Sequence, residues 1–304
     1  MRKIVVTGGS GFIGSHLIRA LIERKSYDVV SVDRTPKKDA VRIMDFIDSD
    51  KLNYVEMDLA DVGCINELSK TLDGTDIVFN FAAHSNVKTF DAKKDYTDNV
   101  QITHNVLDAM VIAKVSNIVF SSSSTVYGKV NCKVSETSEL APISFYGASK
   151  MTSESLISSY VNMNRLNAMI LRFANIVGPD VSQGVVLDFV KKLSIDNEEL
   201  EILGNGGQTK QYVHVGDIVE WLSDVNVEKG LSTYNISTDG FTNVMAIADM
   251  VCCAMGLKNV KYRYTGGEGG WVGDVPFYGL DISRARKNGW KFKYDSTDAV
   301  MRSI

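Results

Sequence analysis

The stretch Lys3-Ile-Val-Val-Thr-Gly-Gly-Ser-Gly-Phe-Ile-Gly14 decides the fold, because it joins an apolar run directly to a cluster of glycines. Its β-branched residues indicate a buried strand, and the amphipathic stretch Phe12–Glu23 that follows indicates a helix. Between them, Gly8 and Gly11 would allow a tight turn and a close approach of the backbone to a pyrophosphate, while Gly14 would let the helix pack closely on the strand. The sequence therefore predicts a dinucleotide site at the start of the first helix.

The first half of the chain repeats this alternation of strand and helix. The predicted strands are Lys3–Thr7, Asp28–Asp33, Asn53–Asp58, Asp76–Ala83, Asn117–Ser122 and Ala168–Phe173. Amphipathic stretches such as Ile102–Lys114 lie between them. Alternation at this spacing implies right-handed crossover connections and a buried parallel sheet that is covered on both faces. We therefore expect an α/β protein with a Rossmann-like, doubly wound parallel sheet.

After Ala174 the alternation is less regular. Predicted helices at Gly184–Ser194, Asp217–Ser223, Val244–Met255 and Asp281–Lys287 alternate with short strands, and the glycine-rich run 266–270 indicates a loop. No linker of low complexity separates the two halves. We expect residues 1–174, with about 210–235, to form the dinucleotide-binding domain, and residues 175–209 and 236–304 to form a smaller, interleaved substrate-binding lobe.

Composition excludes several classes of function. The chain has 304 residues, of which 44% are hydrophobic, and a net charge of −4 without a run of Lys or Arg, so neither nucleic acid nor an anionic membrane is an expected partner. The N-terminus runs into a strand without the features of a signal peptide, and no apolar run approaches a membrane span, so we expect a cytoplasmic protein. The cysteines lack CxxC spacing, which favours structural thiols over a metal or redox site: Cys64, Cys132, Cys252 and Cys253.

Acidic residues follow two of the predicted strands. Asp33 closes the second strand 19 residues after Gly14, where a carboxylate can accept hydrogen bonds from the adenosine ribose. This carboxylate would repel a 2′-phosphate and so favours NAD over NADP, although neighbouring Arg34 could offset part of the repulsion. Asp58 and Leu59, at the end of the third strand, are expected near the adenine. The alternatives are a plain glycine turn with an exposed Asp33 and a helix cap at Asp58.

The stretch Tyr146-Gly-Ala-Ser-Lys150 opens a helical segment and places Tyr146 and Lys150 on one helix face. A tyrosine has a pKa near 10, and a nearby ammonium, with a cationic nicotinamide above it, would favour the phenolate. Such a pair alone is also common on protein surfaces. Together with the glycine loop, Asp33 and the hydroxyl-rich stretch Phe120–Gly128, it indicates a site of proton transfer.

This ordered set resembles the extended short-chain dehydrogenase/reductase family, the NAD-dependent epimerases and dehydratases, whose sugar-nucleotide members include UDP-glucose 4-epimerase. The stretches that carry the resemblance span essentially the full chain: Thr7–Gly14, Asn80–Ala83, Ser121–Gly128, Tyr146–Lys150, Leu171–Asn175, Tyr212–Val215 and Gly273-Asp274. The resemblance implies Ser123, Tyr146 and Lys150 as catalytic residues and NAD as cofactor. Beyond the glycines, Asp33, Arg34, Asp58 and Leu59, the implied cofactor contacts are Phe12, Ile13, Phe81, Ala82, Ala83, Asn99, Ser121, Tyr146 and Lys150.

The family pattern also separates possible reactions. Dehydratases of the family carry an acidic pair where this chain has Ser124 and Thr125, and neither hydroxyl can act as a carboxylic acid. The resemblance therefore implies a nucleotide-sugar 4-epimerase of the UDP-glucose/UDP-galactose type that works through a transient 4-keto sugar. The alternatives are an NAD(P)-dependent nucleotide-ketosugar reductase or dehydrogenase with the same residues, and a noncatalytic NAD-binding sensor.

The resemblance further implies a nucleotide-diphosphate sugar substrate and a homodimer through the helices near Val100–Lys114 and Gly147–Tyr160. Lys210 stands where many epimerases have a diphosphate-binding arginine, and a second family arginine before Asp274 is absent, with Trp271 nearby. Tyr278 occupies the position where a bulky side chain favours hexoses without an N-acetyl group. The implied substrate-binding residues are His84, Ser123, Ser124, Asn175, Lys210, Tyr212, Asp274 and Tyr278.

Overall fold

The elements on either side of the glycine loop form where the sequence predicts them. In the computed structural model, which describes residues 1–24, 26–49, 51–88, 90–164 and 166–304, a strand spans Arg2–Thr7 and a helix spans Phe12–Glu23. The strands in chain order are β1 (Arg2–Thr7), β2 (Tyr27–Asp33), β3 (Asn53–Glu56), β4 (Ile77–Asn80), β5 (Asn117–Ser123), β6 (Lys133–Val134), β7 (Asn167–Phe173), β8 (Asn175–Val177), β9 (Glu199–Ile202), β10 (Thr209–Lys210), β11 (Tyr212–His214), β12 (Leu231–Ile236), β13 (Thr242–Asn243), β14 (Lys261–Tyr264) and β15 (Gly279–Leu280).

Helices connect most of these strands. They are α1 (Phe12–Glu23), α2 (Met44–Asp48), α3 (Ile65–Thr71), α4 (Ala92–Asp95), α5 (Ile102–Ala113), α6 (Phe145–Asn164), α7 (Val185–Ile195), α8 (Val215–Leu222), α9 (Val244–Ala254), α10 (Ser283–Lys287) and α11 (Ser296–Met301). A π-helical segment, Tyr96–Gln101, joins α4 to α5, and a 3-10 turn, Ser124–Tyr127, follows β5. In the described residues, no helix is both long and apolar enough to cross a membrane.

The central sheet has seven strands in the order β12-β7-β5-β4-β1-β2-β3. β1 pairs in parallel with β2 and with β4, so the carboxyl ends of these three strands lie at one edge of the sheet. Their side chains are buried in near-continuous runs, exemplified by Val5, Val30 and Val78, as expected for a parallel sheet covered on both faces. The predicted fold class, α/β with a Rossmann-like doubly wound sheet, is confirmed.

The fourth strand is shorter than the sequence predicts. Asp76–Ala83 was the expected span, but regular pairing covers only Ile77–Asn80. Beyond Asn80, the Thr7 hydroxyl accepts hydrogen bonds from the backbone N–H groups of Phe81 and Ala82, each at 3.2 Å. The Phe81 N–H also donates to the Thr7 carbonyl at 3.2 Å, so the side chain replaces the strand partner only from Ala82, where the chain leaves the sheet at the edge that carries the glycine loop.

The chain forms two compact units. Residues 1–123, 145–172 and 219–234 make the first, and residues 124–144, 173–218 and 235–304 make the second. The sequence-based boundaries put 124–144 and 210–218 in the first domain instead. Within the second unit these segments find strand partners: β6 pairs with β15, and β11 pairs with β8. The functions assigned to the two domains stay predictions.

The second unit has its own apolar core. Phe189 of α7 and Ile247 and Val251 of α9 are buried together with Leu200 and Ile202 of β9. β9 pairs in parallel with β14. The four thiols are free: those of Cys64 and Cys252 are buried, and those of Cys132 and Cys253 are exposed.

A buried ion pair fastens α6 to the sheet in the first unit. Arg172 on β7 and Glu154 on α6 are 5% and 6% exposed, and the shortest distance between their charged groups, Nη2 to Oε2, is 2.7 Å. The Arg172 Nε also donates to Glu154 at 3.0 Å, and the Ser122 hydroxyl donates to the same carboxylate. Each charge is thus compensated by its partner, which is the condition under which burial is tolerated.

Replacing Arg172 with Met is expected to lower the free energy of unfolding by about 3–5 kcal/mol, because it leaves the Glu154 carboxylate buried without its counter-charge. Urea denaturation followed by circular dichroism measures the change. The double variant Glu154→Leu/Arg172→Met should recover most of the loss, since both charges are then absent. A loss below about 1 kcal/mol in the single variant would contradict the prediction.

Candidate active site

The glycine loop after β1 leaves no room for side chains on its inner face. Gly8 has φ +70°, and a Cβ on it would lie 2.7 Å from the backbone N of Ala82. A Cβ on Gly14 would lie 2.3 Å from the carbonyl oxygen of Gly8, and one on Gly9 would lie 2.1 Å from the Ser31 hydroxyl. These glycines therefore hold the loop against the sheet edge and the helix against the loop.

The outer face of the loop is open. Gly11 is exposed, and a Cβ there would meet, among the described residues, only the Gly8 carbonyl at 3.0 Å. Gly11 is also the N-cap of α1, which has neither a side-chain cap nor an acidic residue in its first turn. Amides at a helix start without side-chain acceptors, next to an accessible glycine backbone, fit the pyrophosphate of a dinucleotide. Phe12 and Ile13, predicted to contact it, are half-buried in that first turn.

Asp33 fastens the glycine loop to the end of β2. Its Oδ2 accepts a hydrogen bond from the Ser10 N–H and its Oδ1 from the Thr35 N–H, both at 2.9 Å. Asp33 is 9% exposed, so it is not the freely exposed strand-end residue of the alternative interpretation. Each carboxylate oxygen can accept a second hydrogen bond, which leaves capacity for ribose hydroxyls.

Arg34 is engaged by a neighbouring carboxylate. Its two terminal nitrogens lie 3.3 and 3.4 Å from the oxygens of Asp98, which also lies 3.1 Å from the Lys94 ammonium. Burial acts to raise the pKa of the Asp98 carboxyl, but Lys94 and Arg34 outweigh it and hold this pKa below its usual value. The guanidinium charge that could attract a 2′-phosphate is therefore offset within the protein.

The remaining predicted cofactor residues lie near the same sheet edge. Asp58 is exposed and accepts a hydrogen bond from the Ala60 N–H at 3.0 Å, whereas Leu59 is part of the apolar core. Phe81 is 9% exposed after β4. Ala82 and Ala83, which follow it, are half-buried.

The predicted catalytic side chains come together in the first unit. Ser123 ends β5, and Tyr146 and Lys150 lie one turn apart near the start of α6. The Tyr146 hydroxyl is hydrogen-bonded to the Ser123 side chain. Lys150 Nζ donates to the Ser121 carbonyl at 2.7 Å and lies 5.9 Å from the centre of the Tyr146 ring. Their roles stay predictions, but the geometry brings all three within one site.

The ionisation of Tyr146 and Lys150 departs from the sequence-based expectation. Burial raises the pKa of the Tyr146 phenol to about 12, the Ser123 hydrogen bond opposes the rise, and the charge of Asp95 adds to it. Burial also lowers the pKa of the Lys150 ammonium to about 7, against the charge of Glu154. We expected Lys150 to lower the pKa of Tyr146, and the residues of the chain do not achieve this, because burial disfavours both charged forms.

Two charged residues of the site region were missed in the sequence. Glu154, one helical turn after Lys150, supports the ammonium from within the buried pair with Arg172. The four-residue spacing of Lys150 and Glu154 was a usable signal. Asp95 precedes the π-helical segment and is 1% exposed, and no motif pointed to it.

His84 and Asn99 link the loop after β4 to α6. The backbone N–H of His84 donates to Asn99 Oδ1 at 2.8 Å, and the ring Nδ1 of His84 lies 3.1 Å from Asp95 Oδ1. Asn99 Nδ2 donates to the Ser149 hydroxyl at 2.9 Å, which in turn donates to the Tyr146 carbonyl at 2.8 Å. Asn99, predicted as a cofactor contact, thus positions both His84 and the turn of α6 that carries the tyrosine.

The second unit contains most of the predicted substrate residues. Lys210 Nζ lies 2.6 Å from Asp274 Oδ1, and Asp274 Oδ2 accepts from the Gly270 N–H at 2.9 Å. Tyr212 and Tyr278 are each 5% exposed, and burial, with a contribution from the charge of Asp274, raises the pKa of both phenols. Lys210 and Asp274, predicted separately, are therefore partners of one another.

The other predicted substrate residues of this unit are Asn175 and Ser124. Asn175 is half-buried at the start of β8, in register with Tyr212 of β11. Ser124 is 4% exposed in the turn after β5. A cavity of about 400 Å³ lies beside the glycine-rich loop 266–270, lined also by Lys129, Trp271 and Asp274.

Comparisons with known proteins point to one family. Residues 4–237 match the model of the NAD dependent epimerase/dehydratase family. A Methanocaldococcus jannaschii protein named "Putative UDP-glucose 4-epimerase" is 30% identical over 310 residues, which cover 99% of this chain and 97% of that protein. The family resemblance inferred from the motifs is thereby confirmed.

Solved structures with both activities of the family are similar to this chain. A crystal structure of a UDP-galactose 4-epimerase is 31% identical, with a TM-score of 0.82 over 99% of this chain and 97% of that one. DesIV, a dTDP-glucose 4,6-dehydratase from Streptomyces venezuelae solved with NAD bound, is 26% identical, with a TM-score of 0.88 over 99% and 95% of the chains. Because both reactions occur among similar proteins, the reaction of this chain has to be argued from its side chains.

Replacing Gly14 with Ala is expected to weaken NAD binding about tenfold or more, because the new methyl group would push α1 away from the Gly8 carbonyl. Isothermal titration calorimetry with NAD measures the change. Gly74→Ala is the matched control: its φ is +70° but no atom lies within 4 Å, so it carries only the backbone cost of about 1–2 kcal/mol in stability. Equal affinities in the two variants would contradict the prediction.

Proposed function

The chain belongs to the NAD dependent epimerase/dehydratase family, and from this premise we propose that it is a nucleotide-sugar 4-epimerase of the UDP-glucose/UDP-galactose type. The observation that carries the proposal is the hydrogen-bonded pair of Ser123 and Tyr146, followed in the chain by Ser124 and Thr125 rather than by carboxylic acids. A 4,6-elimination needs an acid for the leaving hydroxyl, and a hydroxyl group with a high pKa does not supply it.

The proposed proton transfer uses the chain's own hydrogen bonds. Tyr146 accepts the proton of the sugar O4 hydroxyl, directly or through Ser123, which is already bonded to its oxygen. Lys150 is held by the Ser121 carbonyl and supplies positive charge on the same helix. The glycine loop and Asp33 would hold NAD, which would supply a hydride acceptor and donor for C4 of the sugar.

Epimerisation makes one further demand on the protein. The 4-keto sugar has to present its other face before reduction, while the dinucleotide stays in place, because oxidant and reductant are the same molecule in one turnover. The close packing of Gly8 and Gly14, and the fastening of the loop by Asp33, favour a rigid and tightly binding dinucleotide site. Asp33 and the pairing of Arg34 with Asp98 favour NAD over NADP.

The second unit is proposed to bind the nucleotide-diphosphate sugar through Asn175, Lys210, Tyr212, Asp274 and Tyr278. The Asp274 carboxylate offsets the Lys210 charge but holds the ammonium in position, so Lys210 is proposed to donate a hydrogen bond to the diphosphate without the bidentate geometry of an arginine. The buried Tyr278 is the bulky side chain that favours hexoses without an N-acetyl group.

The variant Tyr146→Phe is expected to lower the interconversion of UDP-glucose and UDP-galactose by about 10²–10⁴-fold, because it removes the proton acceptor but keeps the ring. NMR of the sugar products with catalytic NAD measures the rate, and the affinity for NAD should change little. Uronate and N-acetyl relatives of the two sugars are tested in parallel.

Three outcomes would overturn the proposal. Formation of a 4-keto-6-deoxy product by the wild-type protein would assign it to the dehydratases. Release of reduced cofactor in proportion to product would assign it to the net oxidoreductases. Full biological effect of Tyr146→Phe would favour the noncatalytic sensor.

We further propose that the protein forms a homodimer through α5 and α6. Val111 and Ile112 of α5 and Met163 of α6 are 38%, 55% and 82% exposed, around a cavity of about 400 Å³ on this helix face. Exposed apolar side chains grouped in this way are typical of an interface.

Replacing Ile112 with Lys is expected to shift the protein from dimer to monomer, because it places a charge within the proposed apolar interface. Size-exclusion chromatography with light scattering measures the mass. Val41→Lys is the control, since Val41 is 76% exposed but lies outside these helices. A wild-type monomer would contradict the proposed assembly.

A further inference from the structure

Asp95 is a buried carboxylate with an incomplete set of partners. It is 1% exposed, and its Oδ2 has no hydrogen-bond partner among the described residues. Its Oδ1 lies 3.1 Å from His84 Nδ1 and 3.5 Å from Asn99 Nδ2. Burying a carboxylate with so little compensation is costly, and such groups occur where they serve a function.

His84 is fixed on two sides by this arrangement. Its backbone N–H is held by Asn99 and its Nδ1 by Asp95, while 16% of its side chain remains exposed. A carboxylate on Nδ1 selects one tautomer of a neutral imidazole and stabilises the imidazolium, in either case leaving Nε2 for another partner. In the described part of the chain, Nε2 has no such partner.

The charged and titratable groups around the His84–Asp95 pair come from the helical segment that carries Asp95, from Arg34 after β2, and from α6. On its own helical segment, Asp91 and Asp98 add negative charge, and that of Asp98 is offset by Lys94 and Arg34. On α6, Tyr146 is close enough for the charge of Asp95 to raise its pKa. Lys150 on the same helix donates to the Ser121 carbonyl instead. Among the contacts of the Asp95 carboxylate in the described residues, His84 is therefore the one side chain that can carry a compensating positive charge.

We propose that His84 and Asp95 share one proton and form an acid–base couple beside Tyr146, whose net charge sets the pH at which the phenol can accept a proton from the substrate. The proposal deepens the proposed function and rests on it for the identity of that substrate. Asn99 is the positioning residue of the couple, because its one side chain holds His84 and, through Ser149, the turn of α6 that carries Tyr146.

The direction of the effect follows from the charges. With its proton the couple is neutral, and without it the couple carries one negative charge, which disfavours the phenolate. Burial first, and then the neighbouring acids, raise the pKa of the Asp95 carboxyl, whereas His84 opposes the rise. Asp95 therefore holds the phenol in its neutral form as the pH increases, and removing its charge should let the phenol ionise at lower pH.

The test compares Asp95→Asn, His84→Gln and the wild-type protein, each with NAD bound. The ionisation of Tyr146 is followed by NMR of ¹³Cζ-labelled tyrosine, with the resonance assigned from the Tyr146→Phe variant. We expect Asp95→Asn to move the titration of Tyr146 about one unit to lower pH, which is about tenfold in the ionised fraction. We expect His84→Gln to move it to higher pH, because glutamine cannot take up the shared proton and the Asp95 carboxylate then keeps its full negative charge near Tyr146.

Asp98→Asn is the matched control. It removes another buried carboxylate of the same segment, one whose charge does not act on the pKa of Tyr146, so the Tyr146 titration should stay within a few tenths of a unit. An unshifted titration in Asp95→Asn would overturn the proposal. A shift in Asp95→Asn without an opposite shift in His84→Gln would assign the effect to Asp95 alone and overturn the couple.

The pH dependence of kcat/KM provides a second readout. Its acidic limb should move in the same direction as the titration in each variant, whereas a purely structural role would lower activity at all pH values alike. The titration itself needs only protein and NAD. Shifted titrations in a protein that shows no epimerisation would therefore support the couple and overturn the proposed function. Epimerisation together with unshifted titrations would support the proposed function and overturn the couple. Should Asp95→Asn fail to fold, the His84→Gln titration decides alone.

Discussion

The burial of the Lys150 ammonium is the constraint on which the rest of the site depends. Lys150 is 2% exposed, and an ammonium taken out of water is destabilised unless hydrogen bonds and opposite charge compensate it. The Ser121 carbonyl at 2.7 Å and the Phe120 ring, 4.8 Å from Nζ, supply part of this compensation. Glu154 supplies the charge, and Arg172 in turn balances Glu154. The charges that run from α6 into β7 therefore stabilise the buried ammonium on the helix that also carries Tyr146.

The same constraint accounts for the hydroxyls of Ser122 and Ser123 at the end of β5, whereas Ser121 contributes its backbone carbonyl. The carbonyl of Ser121 holds Lys150, the hydroxyl of Ser122 donates to Glu154, and the side chain of Ser123 is bonded to Tyr146. Three neighbouring residues thus bind three successive turns of one helix. A hydroxyl is small enough to fit such a contact and can donate or accept as required, which an apolar side chain cannot do. Ser123 is proposed to serve the substrate as well.

The sequence predicted the architecture well, because the periodicity of hydrophobic residues and the glycines between strands and helices are local signals. The span Phe12–Glu23 was predicted to the residue, since a glycine loop precedes it and an apolar stripe defines it. The grouping of Ser123, Tyr146 and Lys150 followed from the family pattern. The partners of Asp33, Arg34 and Lys150 could not be predicted, because they are set by long-range packing. Asp95 carried no signal, as its burial depends on a π-helical segment that periodicity does not reveal.

The balance of charge in the first unit bears on how the proposed reaction is controlled. A phenol whose pKa is raised to about 12 by burial, beside a lysine whose pKa is lowered to about 7, is almost fully protonated at neutral pH and so is rarely in the form that accepts a proton. Its ionisation then depends on positive charge supplied from outside the chain, and the oxidised nicotinamide ring is cationic whereas the reduced ring is neutral. The phenol would therefore be more ionised, and available to accept a proton, while the ring is oxidised, and it would hold that proton more firmly once the ring is reduced. A base that follows the state of its cofactor suits a reversible reaction, because the proton is released when the keto group is reduced.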